Sequence, residues 1–149
     1  MKLLAGIVLF LLCALAGEGK ARRLQRRERA LSKVHELIFE IGERQQNALV
    51  SFREGALMCS PSPEREQLLK LAGGEELCLP MLTAEERSSL AAYARSESRS
   101  VSALKDERDS LLSLLQKARE QAAEERTHKG QICRSVGYLC GAAALLLVL

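Results

Sequence analysis

Tryptophan is absent from this chain, and two tyrosines and three phenylalanines are its only aromatic side chains. So few π faces leave no platform on which nucleobases stack, and the basic residues form one block rather than a spread over a folded face. Nucleic-acid binding is excluded on both counts. Histidine is as scarce: His35 and His128 stand alone on charged stretches that read as solvated helical faces. Five cysteines are an odd number, Cys13, Cys59, Cys78, Cys133 and Cys140, with no CxxC and no Cys/His cluster at zinc spacing. They read as reduced thiols acting as small hydrophobes, which suits a cytoplasmic body better than a disulfide framework does. No nucleophile elbow, phosphate loop or convergent acid pair appears. The expectation is a chain that is not an enzyme and holds no cofactor.

Proline is also rationed, to Pro61, Pro63 and Pro80, so nothing breaks the backbone between Met1 and Ser60. Within that stretch lies the first strong signal, the apolar run Leu3–Gly17, followed by a basic collar. Lys20, Arg22, Arg23, Arg26, Arg27 and Arg29 face only Glu28, so residues 20–29 carry +5 (six cations, one carboxylate) against +3 for the whole chain. Cations beside a span stay in the cytoplasm, which predicts an outside N-terminus and a cytoplasmic collar. Fifteen residues of helix span roughly 22 Å, short of a hydrocarbon core of about 30 Å, so a crossing requires Lys2 to snorkel or the bilayer to thin.

A second reading of the same residues is a cleaved secretory signal, with Lys2, a short apolar core and Ala14-Leu15-Ala16 in its three parts. Six cations just past the cleavage point would oppose their own export, so retention is favoured. A lipid anchor at Cys13 is disfavoured by the bulky Leu12 before it.

Beyond the collar, Leu31, Val34, Ile38, Ile41, Ala48 and Phe52 recur at three- and four-residue steps, which predicts a helix over Ala30–Met58, continuous with the apolar run as one rod. Ser60-Pro61-Ser62-Pro63 ends it. Glu64–Ala72 predicts a short amphipathic helix stopped by Gly73-Gly74, and Leu77–Leu82 an apolar connector around Pro80. Thr83-Ala84-Glu85-Glu86 is a capping box that opens a further helix carrying Leu90 and Tyr93. A kink is expected in the polar patch Ser96–Ser100. From Val101, the residues Leu104, Leu111, Leu115, Ala118 and Ala122 keep heptad spacing, with Arg108 at one core position. Too few heptads persist for a long coiled coil, so antiparallel packing on the Ala30–Met58 helix is predicted.

The chain closes on a second apolar run, Val136–Leu149, with Lys129 and Arg134 on its N-terminal side and no charge after it. The same positive-inside argument sends this tail out and keeps the loop in the cytoplasm. Gly137 and Gly141, four apart, suit close approach of another membrane helix. The expected architecture is therefore all-α: a small helical bundle or hairpin flanked by N- and C-terminal transmembrane helices. Its parts are a span over residues 1–19, a cytoplasmic helical domain over 20–131 (collar 20–29, connector 60–82) and a span over 132–149. Lys20, Arg22, Arg23, Arg26, Arg27, Arg29, Lys129 and Arg134 set the topology, and Gly137 and Gly141 pack the membrane helices.

Arg134, Ser135, Gly137, Tyr138, Leu139 and Gly141, followed by a leucine-rich tail, resemble the ending of the stage III sporulation protein AB family of endospore-forming Firmicutes. The apolar start followed by Ala21-Arg22-Arg23-Leu24 is similar to the family's opening. The middle, Cys59–Leu82, is shorter than in the family, and the family's Gly-x-Ser-Asp turn corresponds only to Ser96–Ser100, without its Gly or Asp. The resemblance implies a non-enzymatic scaffold or platform component of the mother cell–forespore channel, similar to the platform subunits of type II secretion machines. It further implies the mother-cell membrane as location and a cytoplasmic helical domain. The implied partners are the other proteins of the stage III A operon, including its secretion-type ATPase, with self-association left open. The alternative reading is an exported helical protein with a cleaved signal and a C-terminal membrane anchor, acting as an envelope adaptor. A third reading is a phage-type envelope protein such as a lysis accessory.

Overall fold

In the computed structural model, residues 2–76, 79–96 and 100–148 are described, with side chains described for 5–76, 79–96 and 100–146. Cys78, part of the Leu77–Leu82 connector, and the centre of the Ser96–Ser100 patch lie outside the described residues. Among those described, the fold is all-helical, with no strand. Its elements are α1 (Lys2–Ala48), α2 (Phe52–Leu57), α3 (Pro63–Ala72), α4 (Ala84–Ala94) and α5 (Val101–Val148). The chain forms two compact units, one of Met1–Glu28 with Glu120–Leu149, the other of Arg29–Arg119. The long helices α1 and α5 contribute to both.

The transmembrane helices expected at the two ends are corrected by the structure. Among the described residues, no helix is long and apolar enough to cross a membrane. The physical reason lies in how each apolar run is embedded. The first sits in a 47-residue helix that reaches Glu18, Lys20, Arg22 and Arg23 immediately after Gly17. The second sits at the end of a 48-residue helix and is preceded by Arg134. Among the residues whose side chains are described, about 20 residues of helix counted from either end take in these charges, too many for a hydrocarbon core of about 30 Å.

In the first unit the two apolar runs are antiparallel partners. Small residues recur at four-residue steps on the facing sides: Gly17 and Ala21 on α1, Gly137 and Gly141 on α5, all buried. A Cβ on Gly17 would lie 2.6 Å from the Cys133 carbonyl oxygen, and one on Gly137 would lie 2.9 Å from that of Cys13. A Cβ on Gly141 would meet the ring of Phe10 at 2.8 Å. Backbones this close are open only to glycine, and the gain is dispersion contact along the whole seam. The large side chains are turned outward: Leu11, Leu12, Leu15, Val136 and Leu139 are all exposed.

The second unit has a conventional core. Leu31, Val34, Ile38 and Ile41 of α1 are fully buried, as the helical spacing predicts, and Leu37 joins them. Leu111, Leu115 and Ala118 of α5 lie buried in the same unit, and Arg108 reaches Gly42 across from α1, so the two helices pack antiparallel here. The helix predicted to run to Met58 instead stops at Ala48. Leu49 takes a left-handed φ of 52°, and Ser51 caps a new helix. Ser51 accepts from the Glu54 amide while the Glu54 carboxylate takes the Ser51 N–H at 2.9 Å, a capping box that gives these four residues a better local partner than helix continuation. Gly55 then seats α2 against Ile41, its would-be Cβ 3.3 Å from Ile41 Cγ2.

The short elements follow their sequence signals. Ser62 caps α3, with Pro63 in its first turn, and Gly73 ends it. Gly74 adopts φ +88°, where a side chain is strained. Thr83 and Glu86 form the predicted capping box of α4, the Thr83 N–H donating to Glu86 at 2.7 Å. Arg65 of α3 donates to the Cys59 carbonyl at 2.8 Å, tying α3 to the turn that follows α2. The helical pattern resumes at Val101 and runs through Gly130 without a break.

Candidate functional site

The collar residues divide between exposed positions and one that reaches across to α5, and the exposed Arg22 pairs within α1, 4.0 Å from Glu18. Lys20, Arg22, Arg23, Arg26 and Arg29 are exposed, and Arg27 is half-buried with its guanidinium 3.9 Å from Glu125. Helical geometry explains the split: only residues on the α5-facing side of α1 find carboxylates across the seam. Two stronger ion pairs cross the first unit. Arg134 reaches Glu18 at 3.1 Å, and Arg126 reaches Glu28 at 2.9 Å. Lys129 stays on its own helix, donating to Glu125 at 2.6 Å. That bond is the chief reason the Glu125 carboxyl titrates below its ordinary range.

Arg126, Gly130 and Arg134 are four apart, so they share one face of α5, and the arginines stand about 12 Å apart along the axis. Gly130 and Ala21 face the space between them. The result is a groove of about 310 Å³ lined by Ala21, Gln25, Arg126, Thr127, Gly130, Gln131 and Arg134. Nothing lies within 4 Å of where a Cβ on Gly130 would sit. Gly137 and Gly141, expected to pack membrane helices, instead pack α5 against α1 within this same unit.

The second unit holds a buried polar lock. Arg108, 7 % exposed, donates to Glu43 at 3.0 Å and to Asp109 at 3.1 Å. Its aliphatic stem fills the space that a side chain on Gly42 would need. Nearby, the Tyr93 hydroxyl donates to Gln45 at 2.9 Å, and its ring packs edge-on against Phe52 with centroids 5.8 Å apart. Burial pushes the Tyr93 phenol up to about 12. A cleft of about 440 Å³ opens beside these groups, with Leu49, Val50 and Val101 among its lining. His35 is half-buried rather than solvated, and burial together with Arg119 holds its imidazole below the ordinary value. Cys59 is buried, its thiol pushed up by that burial and its Sγ 3.3 Å from the Gly55 carbonyl.

Among the described residues, no three of His, Cys, Asp and Glu converge where a metal would bind. Arg126, Glu28, Gln25 and Gln131 carried no sequence signal of their own. The Arg-x-x-x-Gly-x-x-x-Arg spacing was readable, but its partner face on α1 emerges only from the fold. Compared with family models, curated proteins and solved structures, the chain matches none.

Proposed function

We propose that the chain is a non-enzymatic scaffold, a platform component of the mother cell–forespore channel needed for endospore formation, working at the mother-cell membrane with its helical body on the cytoplasmic side. The observation that carries this reading is the C-terminal stretch Arg134, Ser135, Gly137, Tyr138, Leu139 and Gly141, which resembles the ending of the stage III sporulation protein AB family residue by residue. In the first unit three of those residues have physical work: Gly137 and Gly141 let the helices meet, and Arg134 pairs with Glu18 across them. The exposed Leu11, Leu12, Leu15, Val136 and Leu139 lie on the same unit as the collar, which suits an end turned toward lipid and toward other membrane proteins of the channel. Such an end requires no helix to cross the bilayer.

A scaffold has to hold a contact face rigid while a motor acts on it. Within each unit the packed helices meet that demand, through a glycine seam in the first and a hydrophobic core in the second. The partners that follow from the resemblance are the secretion-type ATPase of the same operon and the operon's membrane proteins. The exported-protein alternative is less well supported, because cleavage after Ala16 would remove Phe10 and Cys13, the residues against which Gly141 and Gly137 pack.

Deleting the gene in its host tests the proposal. The expected result is arrest of sporulation after engulfment, and normal spore yield in a strain with no duplicate gene contradicts it.

A further inference from the structure

The groove between the two cross-seam ion pairs of the first unit has a donor set that neither helix needs for its own folding. Arg134 spends its Nε on Glu18, and Arg126 spends one Nη on Glu28, so each guanidinium keeps N–H groups beyond its carboxylate. Both arginines line the same groove, with the Gln25 and Gln131 amides between them. Thr127 contributes only an acceptor, since its hydroxyl donates to the Ala123 carbonyl at 3.0 Å. The floor is Ala21 and Gly130, and the missing Cβ of Gly130 leaves room for a ligand of more than one heavy atom.

Glu18 and Glu28 offset the two groove arginines, yet the first unit as a whole carries nine Lys and Arg against five Glu, an excess of +4. Arg126 and Arg134 stand two turns apart on α5, each paired with an α1 carboxylate, and the planar N–H edges of both guanidiniums border this one groove. Phosphate oxygens match such edges in geometry and charge, and side-chain amides complete the shell.

We propose that this groove binds a phosphate group, either free phosphate or the phosphomonoester headgroup of a lipid. The site is independent of the channel role: a chain outside the channel would bind phosphate just as well.

The test uses the full-length chain in mild detergent, titrated with inorganic phosphate by calorimetry. Flotation runs in parallel on vesicles of phosphatidylcholine alone, or with phosphatidic acid or phosphatidylserine at matched surface charge. Gly130→Leu fills the groove and leaves both ion pairs in place; Arg126→Gln/Arg134→Gln removes the forks; Arg23→Gln/Arg26→Gln removes equal charge from the exposed collar. Circular dichroism establishes that each variant keeps its helix content. Saturable binding of inorganic phosphate, weakened about tenfold or more by Gly130→Leu and by the groove double variant but not by the collar double variant, supports free phosphate. The same variant pattern on phosphatidic acid vesicles, exceeding that on phosphatidylserine, with no binding of inorganic phosphate, supports the lipid headgroup. Absence of binding in both arms overturns the site, as does binding that follows surface charge alone or survives Gly130→Leu in a folded protein.

Discussion

At the scale of single residues, the second unit is set by a contact that neither partner reveals alone. Arg108 is legible in the sequence as a cation at a core heptad position, while Gly42 reads only as a mild weakness in a helix. Together they form a lock, the Arg108 stem lying where any larger residue at 42 would go. Gly42→Ala is expected to destabilise the unit by about 1–3 kcal/mol through overpacking, against the gain that Gly→Ala gives an open helix. Denaturant unfolding measures it, and Arg108→Ala should recover part of the loss in the double variant because it vacates the same space. Tyr93 supplies a second residue-scale test. Its phenol, pushed up to about 12 by burial, keeps its proton in the folded state where an unfolded tyrosine loses it near 10. The stabilisation is therefore complete below pH 10 and is lost as pH rises toward 12. Absorbance at the phenolate band should show one tyrosine titrating late, and Tyr93→Phe should remove that step and flatten the alkaline fall in stability.

At the scale of elements, several boundaries were legible from the cap, proline or glycine that marks them. Ser62 with Pro63, Gly73-Gly74 and the Thr83–Glu86 box all stand where the residues place them. The break after Ala48 escaped because Ala48 and Phe52 continue the apolar spacing of α1, and the Ser51–Glu54 box beneath that spacing was not read. A capping box between two in-phase apolar residues is ambiguous from sequence, since either continuing or restarting the helix buries Phe52. Leu49 shows which solution won: it holds φ 52° with its side chain 78 % exposed, a conformation that costs a non-glycine residue about 1–2 kcal/mol. Leu49→Gly is accordingly expected to leave thermal stability unchanged or raise it by a few degrees. If Leu49 were inside a continuous helix, the same change would cost about 1 kcal/mol, so the sign of the shift in a melting experiment decides between the two geometries.

At the scale of the whole molecule, the all-helical class and the antiparallel packing of α5 on α1 in the second unit were legible from spacing alone. The ends were not. Leu3–Gly17 and Val136–Leu149 have the composition of membrane helices, and hydropathy does not distinguish a run that crosses a bilayer from one whose glycines seat it on a partner helix. The distinguishing feature is three-dimensional: Gly17 and Gly137 face each other, which requires knowing that residues more than a hundred positions apart are neighbours. The groove near Gly130 was hidden for the same reason, half of it being supplied by Ala21 and Gln25. Gly17→Leu is expected to pry the first unit open, with faster thiol labelling of half-buried Cys13 and Cys133, while the cooperative unfolding of the second unit persists. Labelling at the wild-type rate would mean that the seam does not hold the ends together in solution.

The link between structure and the proposed scaffold role is the glycine seam, on which that role is expected to depend. Complementation of a deletion strain measures this directly, with spore yield as the readout for the wild-type gene beside Gly137→Leu expressed to the same level. The account predicts that the wild type restores heat-resistant spores and that Gly137→Leu does not. Full spore yield from the Gly137→Leu strain would contradict it.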